Sequence, residues 1–227
     1  MTIKNIGNIM IKIFLLVLAL IAPTSLIYLN LTSSSVNHRL LFNLFIIIII
    51  AERVWETFFT PKEDNKLSHK DDWTLPLTLS AYLIVGLAVT FEFFLINREI
   101  NVLLSVAGIF LLIFAGYIRF LSIKSLGVGW SLHAVGKNKS RSEDHKLIVS
   151  GPYSYARHPI YFATIIELIG LSIAFNTFFS GLLVIAVMPL YLIRAHYEEK
   201  KLIEFFGEDY LIYKKEVPFI IPIKFRK

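Results

Sequence analysis

Apolar runs long enough to cross a lipid bilayer constrain this chain more than any other feature. They extend over roughly Ile9–Leu29, Leu40–Phe59, Leu75–Ile96 and Ile100–Ile123, and the second contains the five isoleucines 46–50. The hydrocarbon core of a membrane takes about 20 residues of helix to span. A helix is also the one single-segment structure that satisfies its own backbone hydrogen bonds in lipid. Of 227 residues, 56% are hydrophobic, a level that soluble domains seldom reach. The predicted fold is an all-α integral membrane protein with about four transmembrane helices, followed by a C-terminal helical hairpin and an amphipathic tail helix.

The runs also set the connections. Only Asn97, Arg98 and Glu99 separate the third run from the fourth, so these two form a tight antiparallel pair. Ile160–Phe175 and Phe178–Ile193 are each short for a full span, and Asn176-Thr177 makes a turn between them, which predicts a helical hairpin. From Arg194 the chain reads as an amphipathic tail, broken at Gly207 and carrying Pro218 and Pro222. The first run has a second reading as a signal peptide cleaved near Ala19–Ala22, but its apolar character continues past those small residues.

Basic residues fix the expected orientation. With the N-terminus in the cytoplasm, 20 of the 23 lysines and arginines fall on the inner side, and only Arg39 and Arg98 lie in outer turns. This places the hairpin's polar ends on the cytoplasmic face of a multi-pass protein. The net charge of +6 then reflects lysines facing anionic lipid and gives no sign of nucleic-acid binding. The absence of cysteine excludes disulfides, thiol catalysis and cysteine-based metal sites.

Polar groups concentrate between His145 and Glu199. Within Gly151-Pro152-Tyr153-Ser154-Tyr155-Ala156-Arg157-His158-Pro159-Ile160-Tyr161, Pro159 suits the first turn of a helix. The positive end of that helix, with Arg157 beside it, favours anions. Tyr153, Tyr155 and Tyr161 read either as an interfacial aromatic belt or as walls for an adenine or a cation. Arg194 and Glu198, four apart, share a helix face. They form either a surface ion pair or a partly desolvated functional pair. Glu199 points elsewhere and is expected to be solvated. Three further acids invite other readings: Glu52 and Glu56 with Arg53 as a charge cluster at the interface, and Glu92, inside the third run, as support for a transporter. His196 with Glu198 and Glu199 lacks a second histidine at ligand spacing, so no metal site is expected.

Together, His145-Lys-Leu-Ile-Val-Ser-Gly-Pro-Tyr153, Arg157-His158-Pro159-Ile160-Tyr161, Arg194–Glu199, Phe205-Phe206-Gly207-Glu208-Asp209-Tyr210, Tyr213 and Val217-Pro218 resemble the isoprenylcysteine carboxyl methyltransferase family, over about residues 125–222. The N-terminal half matches only in being helical. The resemblance implies a membrane enzyme that methylates the carboxylate of a prenylated cysteine with S-adenosyl-L-methionine. It implies that His145, Lys146, Leu147, Ile148, Tyr153, His158, Pro159, Ile160 and Tyr161 line the cofactor pocket. Glu198 would hold the cofactor, and Arg194 would face the acceptor carboxylate as the catalytic residue. A cofactor contact from His133–Asn138 aligns only loosely. Residues 1–124 would then be the transmembrane frame and acceptor side, and 125–227 the cofactor-binding catalytic region.

This chemistry suits the residues. A carboxylate acceptor is already ionised at neutral pH and needs no general base, so the site must supply alignment and exclude water. The partners expected are the bilayer and a lipophilic or small-molecule methyl acceptor. Methyl transfer to a phospholipid amine or a small thiol, in which His158 or His196 would act as a base, stands as the alternative within the same chemistry. A non-enzymatic membrane protein that retains the fold stands as the alternative outside it.

Overall fold

The computed structural model describes residues 24–33, 35–58, 73–96, 98–127 and 147–222. The described residues are mostly helical, with no strand among them. A short helix over 24–32 (α1) leads to α2 (Val36–Phe58), α3 (Thr74–Leu95), α4 (Val102–Leu126), a single 3-10 turn at Gly151–Ser154, α5 (Pro159–Ala174), α6 (Phe179–Phe206) and α7 (Glu208–Glu216). Among the described residues, α3, α4 and α6 are long and apolar enough to cross a membrane, and shorter apolar helices cover Val36–Ile48 and Pro159–Ala174. Several expectations fall outside the described residues. They concern the first run before residue 24, the 133–138 loop, His145 and Lys146, and the side chains of Glu52, Arg53 and Glu56.

One expectation is corrected. Residues from Arg194 onward do not start a separate tail: α6 runs unbroken from Phe179 to Phe206 and is 28 residues long. Nothing between Pro189 and Gly207 interrupts helical hydrogen bonding, because the polar stretch is built from good helix formers such as Glu, Lys and Leu. The helix stops at Gly207, whose φ of 60° lies in the left-handed region that glycine tolerates best. The second arm of the hairpin is therefore a full-length span that carries its charged end beyond the apolar zone.

The core is a continuous apolar layer of Val85, Val89 and Phe93 from α3, Leu112 from α4, Leu168 and Leu171 from α5, and Val184 and Val187 from α6. Within the bundle, α4 packs chiefly on α5, and α3 chiefly on α6. The α4–α5 approach is close because it is made by glycines. A Cβ at Gly108 would lie 2.2 Å from the Ala174 backbone nitrogen, and one at Gly170 would lie 2.9 Å from Leu111 Cβ. Between membrane helices, where lipid removes much of the hydrophobic drive, such close backbone contact provides the association.

Among the described residues, several polar connections gather at the two ends of the bundle and in one buried node. At one end, Glu92, in the last turn of α3, accepts hydrogen bonds from the backbone amides of Phe178, Phe179 and Ser180 and from Ser180 Oγ, at 2.7–3.2 Å. It also pairs with Arg98 at 3.3 Å. Glu92 therefore caps the N-terminus of α6, where four amides lack partners within the helix and negative charge is favoured. This disposes of its reading as a transport acid. Asn176 makes the expected turn with φ 54°, and its side chain donates to Ser105 Oγ and accepts from the Asn101 amide. Deeper in the bundle, Arg119 of α4 pairs with Glu167 of α5 and donates to Thr164 Oγ1, while Tyr82 of α3 donates to the same carboxylate. The opposite end is left for the polar residues of α5, α6 and α7.

Candidate active site

The site forms where the N-termini of α3 and α5 meet the polar half of α6. Helix α5 begins at Pro159 with His158 as its N-cap residue, as the His-Pro pair predicts. The chain before it is pinned from behind by the segment after α7. The amides of Arg157 and His158 donate to the carbonyls of Pro218 and Phe219 at 2.9 and 3.1 Å. Tyr213 Oη donates to the Tyr153 carbonyl at 2.7 Å. These bonds hold the 3-10 turn, the His158 ring and the first turn of α5 in one orientation.

Tyr161, one turn into α5, joins the two arms. Its hydroxyl donates to Glu198 Oε1 and accepts from Arg194 Nε at 2.7 Å. Arg194 Nη1 donates to Thr74 Oγ1 at 3.0 Å, and its Nη2 lies 3.7 Å from Glu198 Oε1. Arg194 is 2% exposed, so the reading of a surface ion pair fails. The guanidinium is enclosed by α3, α5 and α6, where it joins three helices. Glu198 remains 18% exposed. It is the more exposed of the two adjacent carboxylates, Glu198 and Glu199.

The His158 ring is buried beside them. Its Nδ1 lies 3.6 Å from Glu198 Oε2 and its Nε2 lies 3.6 Å from Glu199 Oε1. The ring stacks against Tyr161 at 5.7 Å between centroids and meets Phe219 edge-on. Burial opposes charging of this imidazole, but the Glu198 and Glu199 carboxylates outweigh it and raise its pKa above the ordinary histidine value. Tyr153 is buried close enough for the charge of Glu198, added to desolvation, to push its phenol well above the usual range.

Glu199 is the residue that sequence reasoning misplaced. It is 2% exposed, not solvated. Its Oε1 accepts from Arg157 Nε at 2.6 Å and from Tyr210 Oη at 3.3 Å, and its Oε2 accepts from Lys214 Nζ at 2.6 Å. Glu199 is turned about 100° around α6 from Glu198, and that side of α6 faces α7 and the chain before α5. Arg157 is corrected with it. Its guanidinium is taken up by Glu199 and by the carbonyls of Lys214 and Val217, with its face over the Phe219 ring at 5.3 Å. Arg157 is a strut for the C-terminal segment, not an anion receptor at a helix end. Sequence offered one usable signal here, the adjacent Glu198-Glu199 pair. Each carboxylate needed a cation on its own side of the helix, and the polar residues of α7 could supply one.

The residues singled out in sequence therefore separate. His158, Tyr161, Arg194 and Glu198 come together, with Tyr153 nearby. Pro159 is buried at the start of α5, and Ile160 is half-buried beside it. Leu147 packs on the Tyr210–Tyr213–Val217 cluster under α7, and Ile148 is half-buried in the adjoining segment. Tyr155 is 64% exposed, which suits the interfacial reading, whereas Tyr153 and Tyr161 turn inward. His196 is exposed, its Nδ1 lies at 2.9 Å from the Leu192 carbonyl and its ring packs on Phe219, and no hydrogen bond among the described residues joins it to the cluster. Thr74, at the N-terminus of α3, was not anticipated. Its place beside Arg194 depends on how α3 packs on α6.

The sequence model of the isoprenylcysteine carboxyl methyltransferase (ICMT) family matches residues 107–204, a stretch that contains all of the residues of this cluster except Thr74. Protein-S-isoprenylcysteine O-methyltransferase of Rattus norvegicus is 30% identical over 202 residues, which cover 86% of this chain and 69% of that protein. The protein of the same description from Saccharomyces cerevisiae is 31% identical over 193 residues, covering 80% of this chain and 79% of its own. That of Schizosaccharomyces pombe is 35% identical over 134 residues, 59% and 55%. The similarity thus reaches well into the N-terminal half, beyond the 125–222 stretch that the motifs mark.

Proposed function

The chain belongs to the isoprenylcysteine carboxyl methyltransferase family and is a membrane methyltransferase, and from that premise we propose that it moves a methyl group from S-adenosyl-L-methionine to the carboxylate of an isoprenylcysteine. The observation that carries the reading is the Tyr161 bridge between Glu198 and Arg194 at the rim of the bundle. It puts an accessible carboxylate beside an enclosed guanidinium, the two charges that a cationic donor and an anionic acceptor require.

The residues present fit such a donor. Glu198 offers a partly open carboxylate, and the His158 and Tyr161 rings stand beside it. When bound, S-adenosyl-L-methionine supplies an electrophilic methyl group on a positively charged sulfur. Glu198 binds the donor's positive charge, and Tyr161 keeps that carboxylate in place. Aromatic faces favour a cation over bulk water less strongly than a carboxylate does, and they also keep water out. Arg194 provides the positive charge that offsets the cost of stripping water from an acceptor carboxylate at the membrane surface. An ionised carboxylate attacks without giving up a proton, so the site requires no general base.

The labour divides along the chain. Residues 125–227 hold the donor, while residues 1–124 frame the bundle and receive the acceptor's apolar tail from the bilayer, with Thr74 reaching across to Arg194. The charge asymmetry of the sequence supports a rim on the cytoplasmic side.

The test is a titration of S-adenosylhomocysteine into detergent-purified protein, followed by transfer of labelled methyl to an S-prenylated cysteine with a free carboxylate. Saturable binding and a labelled ester are expected. No saturable binding would sink the reading. Glu198→Ala should weaken donor binding at least about tenfold, because a hydrogen bond to a charged group contributes roughly 1.5–3 kcal/mol. Arg194→Ala should abolish transfer while donor binding survives. Full activity in both variants would show that the roles are misassigned.

A further inference from the structure

Glu199 stands outside the donor and acceptor contacts proposed above, yet it is buried and bonded by three side chains. Its partners come from the chain before α5 (Arg157) and from α7 (Tyr210, Lys214), and the His158 ring lies between it and Glu198. A neutral imidazole carries one N–H. Whichever tautomer it adopts, one ring nitrogen would turn a lone pair toward a carboxylate oxygen 3.6 Å away. Only the imidazolium presents a proton to both acids.

We propose that Glu199 is a positioning residue that holds His158 as an imidazolium, and that this charge competes with a cationic ligand for Glu198. The inference rests on the donor site assigned to Glu198. Among the described residues, the charged and titratable groups facing the ring come from the following elements. Glu198 and Glu199 lie on α6, with Arg194 behind Glu198. Tyr161 stacks from α5. Arg157 precedes the ring, and Lys214 and Tyr210 approach from α7, all three directed at Glu199. Tyr153 lies on the 3-10 turn, and among the described residues the C-terminal segment contributes the Phe219 ring. Glu199 is thus already served by two cations, and Glu198 lies beside a third. An additional positive charge at Glu198 makes the proton on His158 the most expendable one in the cluster.

The consequence is a proton released from His158 when the amino group of such a ligand, as its ammonium, binds Glu198. The atoms balance without a base, because the proton exchanges with solvent and not with the acceptor. Affinity for S-adenosylmethionine should rise with pH through the titration of His158, approaching tenfold per pH unit for one linked proton. Affinity for S-adenosylhomocysteine, which keeps the same amino group, should rise with pH in the same way.

The experiment is calorimetry of both ligands on the full-length protein from pH 6 to 9, in buffers of differing ionisation enthalpy. It is paired with NMR of histidine-labelled protein, in which His158→Gln assigns the ring signal. Proton release with S-adenosylmethionine is expected, and it should be lost in His158→Gln. Glu199→Gln should move the ring's titration to lower pH and carry the pH dependence of binding with it, and Glu199→Asp should restore both in part. A merely structural Glu199 would lower the melting temperature without moving the ring's titration, and that result overturns the proposal. Binding of either ligand that does not change with pH also overturns it. If neither ligand binds, the donor site at Glu198 fails and the competition with it, while the NMR arm separately reports whether Glu199 sets the charge of the ring.

Discussion

Glu198 and Glu199 are neighbours in sequence but serve opposite sides of α6. One is open and beside Tyr161. The other is enclosed by Arg157, Lys214 and Tyr210. His158 between them links site chemistry to stability. An unfolded histidine titrates near 6.5, and the folded-state pKa of His158 is raised above its own ordinary value. Its stabilising contribution is therefore present in full below about pH 6.5 and is lost as pH rises through the folded value. Melting of the purified protein in detergent should show lower stability on the alkaline side of that window, and His158→Gln should flatten this dependence. A wild-type profile as flat as the variant's would show that the ring carries no proton worth the name. The node of Arg119, Glu167 and Tyr82 is a separate matter. It ties α3, α4 and α5 deep in the bundle, where a charge pair survives only because each member satisfies the other.

At the scale of elements, two contacts decide how the helices sit. Glu92 closes the N-terminus of α6 with three backbone amides and one hydroxyl. Glu92→Ala strands those donors and should cost about 1–3 kcal/mol or more in thermal or denaturant unfolding. Donor affinity should stay within about twofold, because distant sites are close to additive. A large loss of affinity with little loss of stability would contradict the capping role. The α4–α5 contact is governed by Gly108, where an added Cβ meets backbone at 2.2–2.6 Å. Backbone cannot rotate away as a side chain can, so Gly108→Val should cost at least the roughly 1–3 kcal/mol typical of overpacking. Gly116, on the same helix, has nothing within 4 Å of an added Cβ. Gly116→Ala should be neutral or stabilising by up to about 1 kcal/mol. Equal melting temperatures for the two variants would refute the close-approach argument.

For the whole molecule, the bundle is fastened at one end by Glu92, Arg98 and Asn176 and at the other by the site and the C-terminal segment. The two ends must face opposite sides of the membrane if α3, α4 and α6 span it. The sequence has no cysteine, so single cysteines report cleanly. Tyr155→Cys, exposed near the site, should react with an impermeant maleimide only from the cytoplasmic side. Glu99→Cys, exposed in the turn between α3 and α4, should react only from the other side. Labelling of both from one side would mean that the helices do not span as described, and the reverse pattern would invert the orientation drawn from the basic residues.

The apolar runs alone determined that the chain is a helical membrane protein. They also placed most helix ends to within a few residues, because in lipid the length of an apolar run and the length of a helix are the same constraint. His158-Pro159, Asn176 and Gly207 marked turns and ends through local backbone preference, which sequence displays directly. The grouping of His158, Tyr161, Arg194 and Glu198 was legible as motif order. What each residue touches was not. Glu199, Arg157 and Glu92 took their roles from partners 42, 60 and 88 positions away along the chain, and Thr74 met Arg194 across 120. A charge near a membrane settles wherever packing brings it a counter-charge or an unpaired amide, and only the tertiary structure decided which helices supplied them.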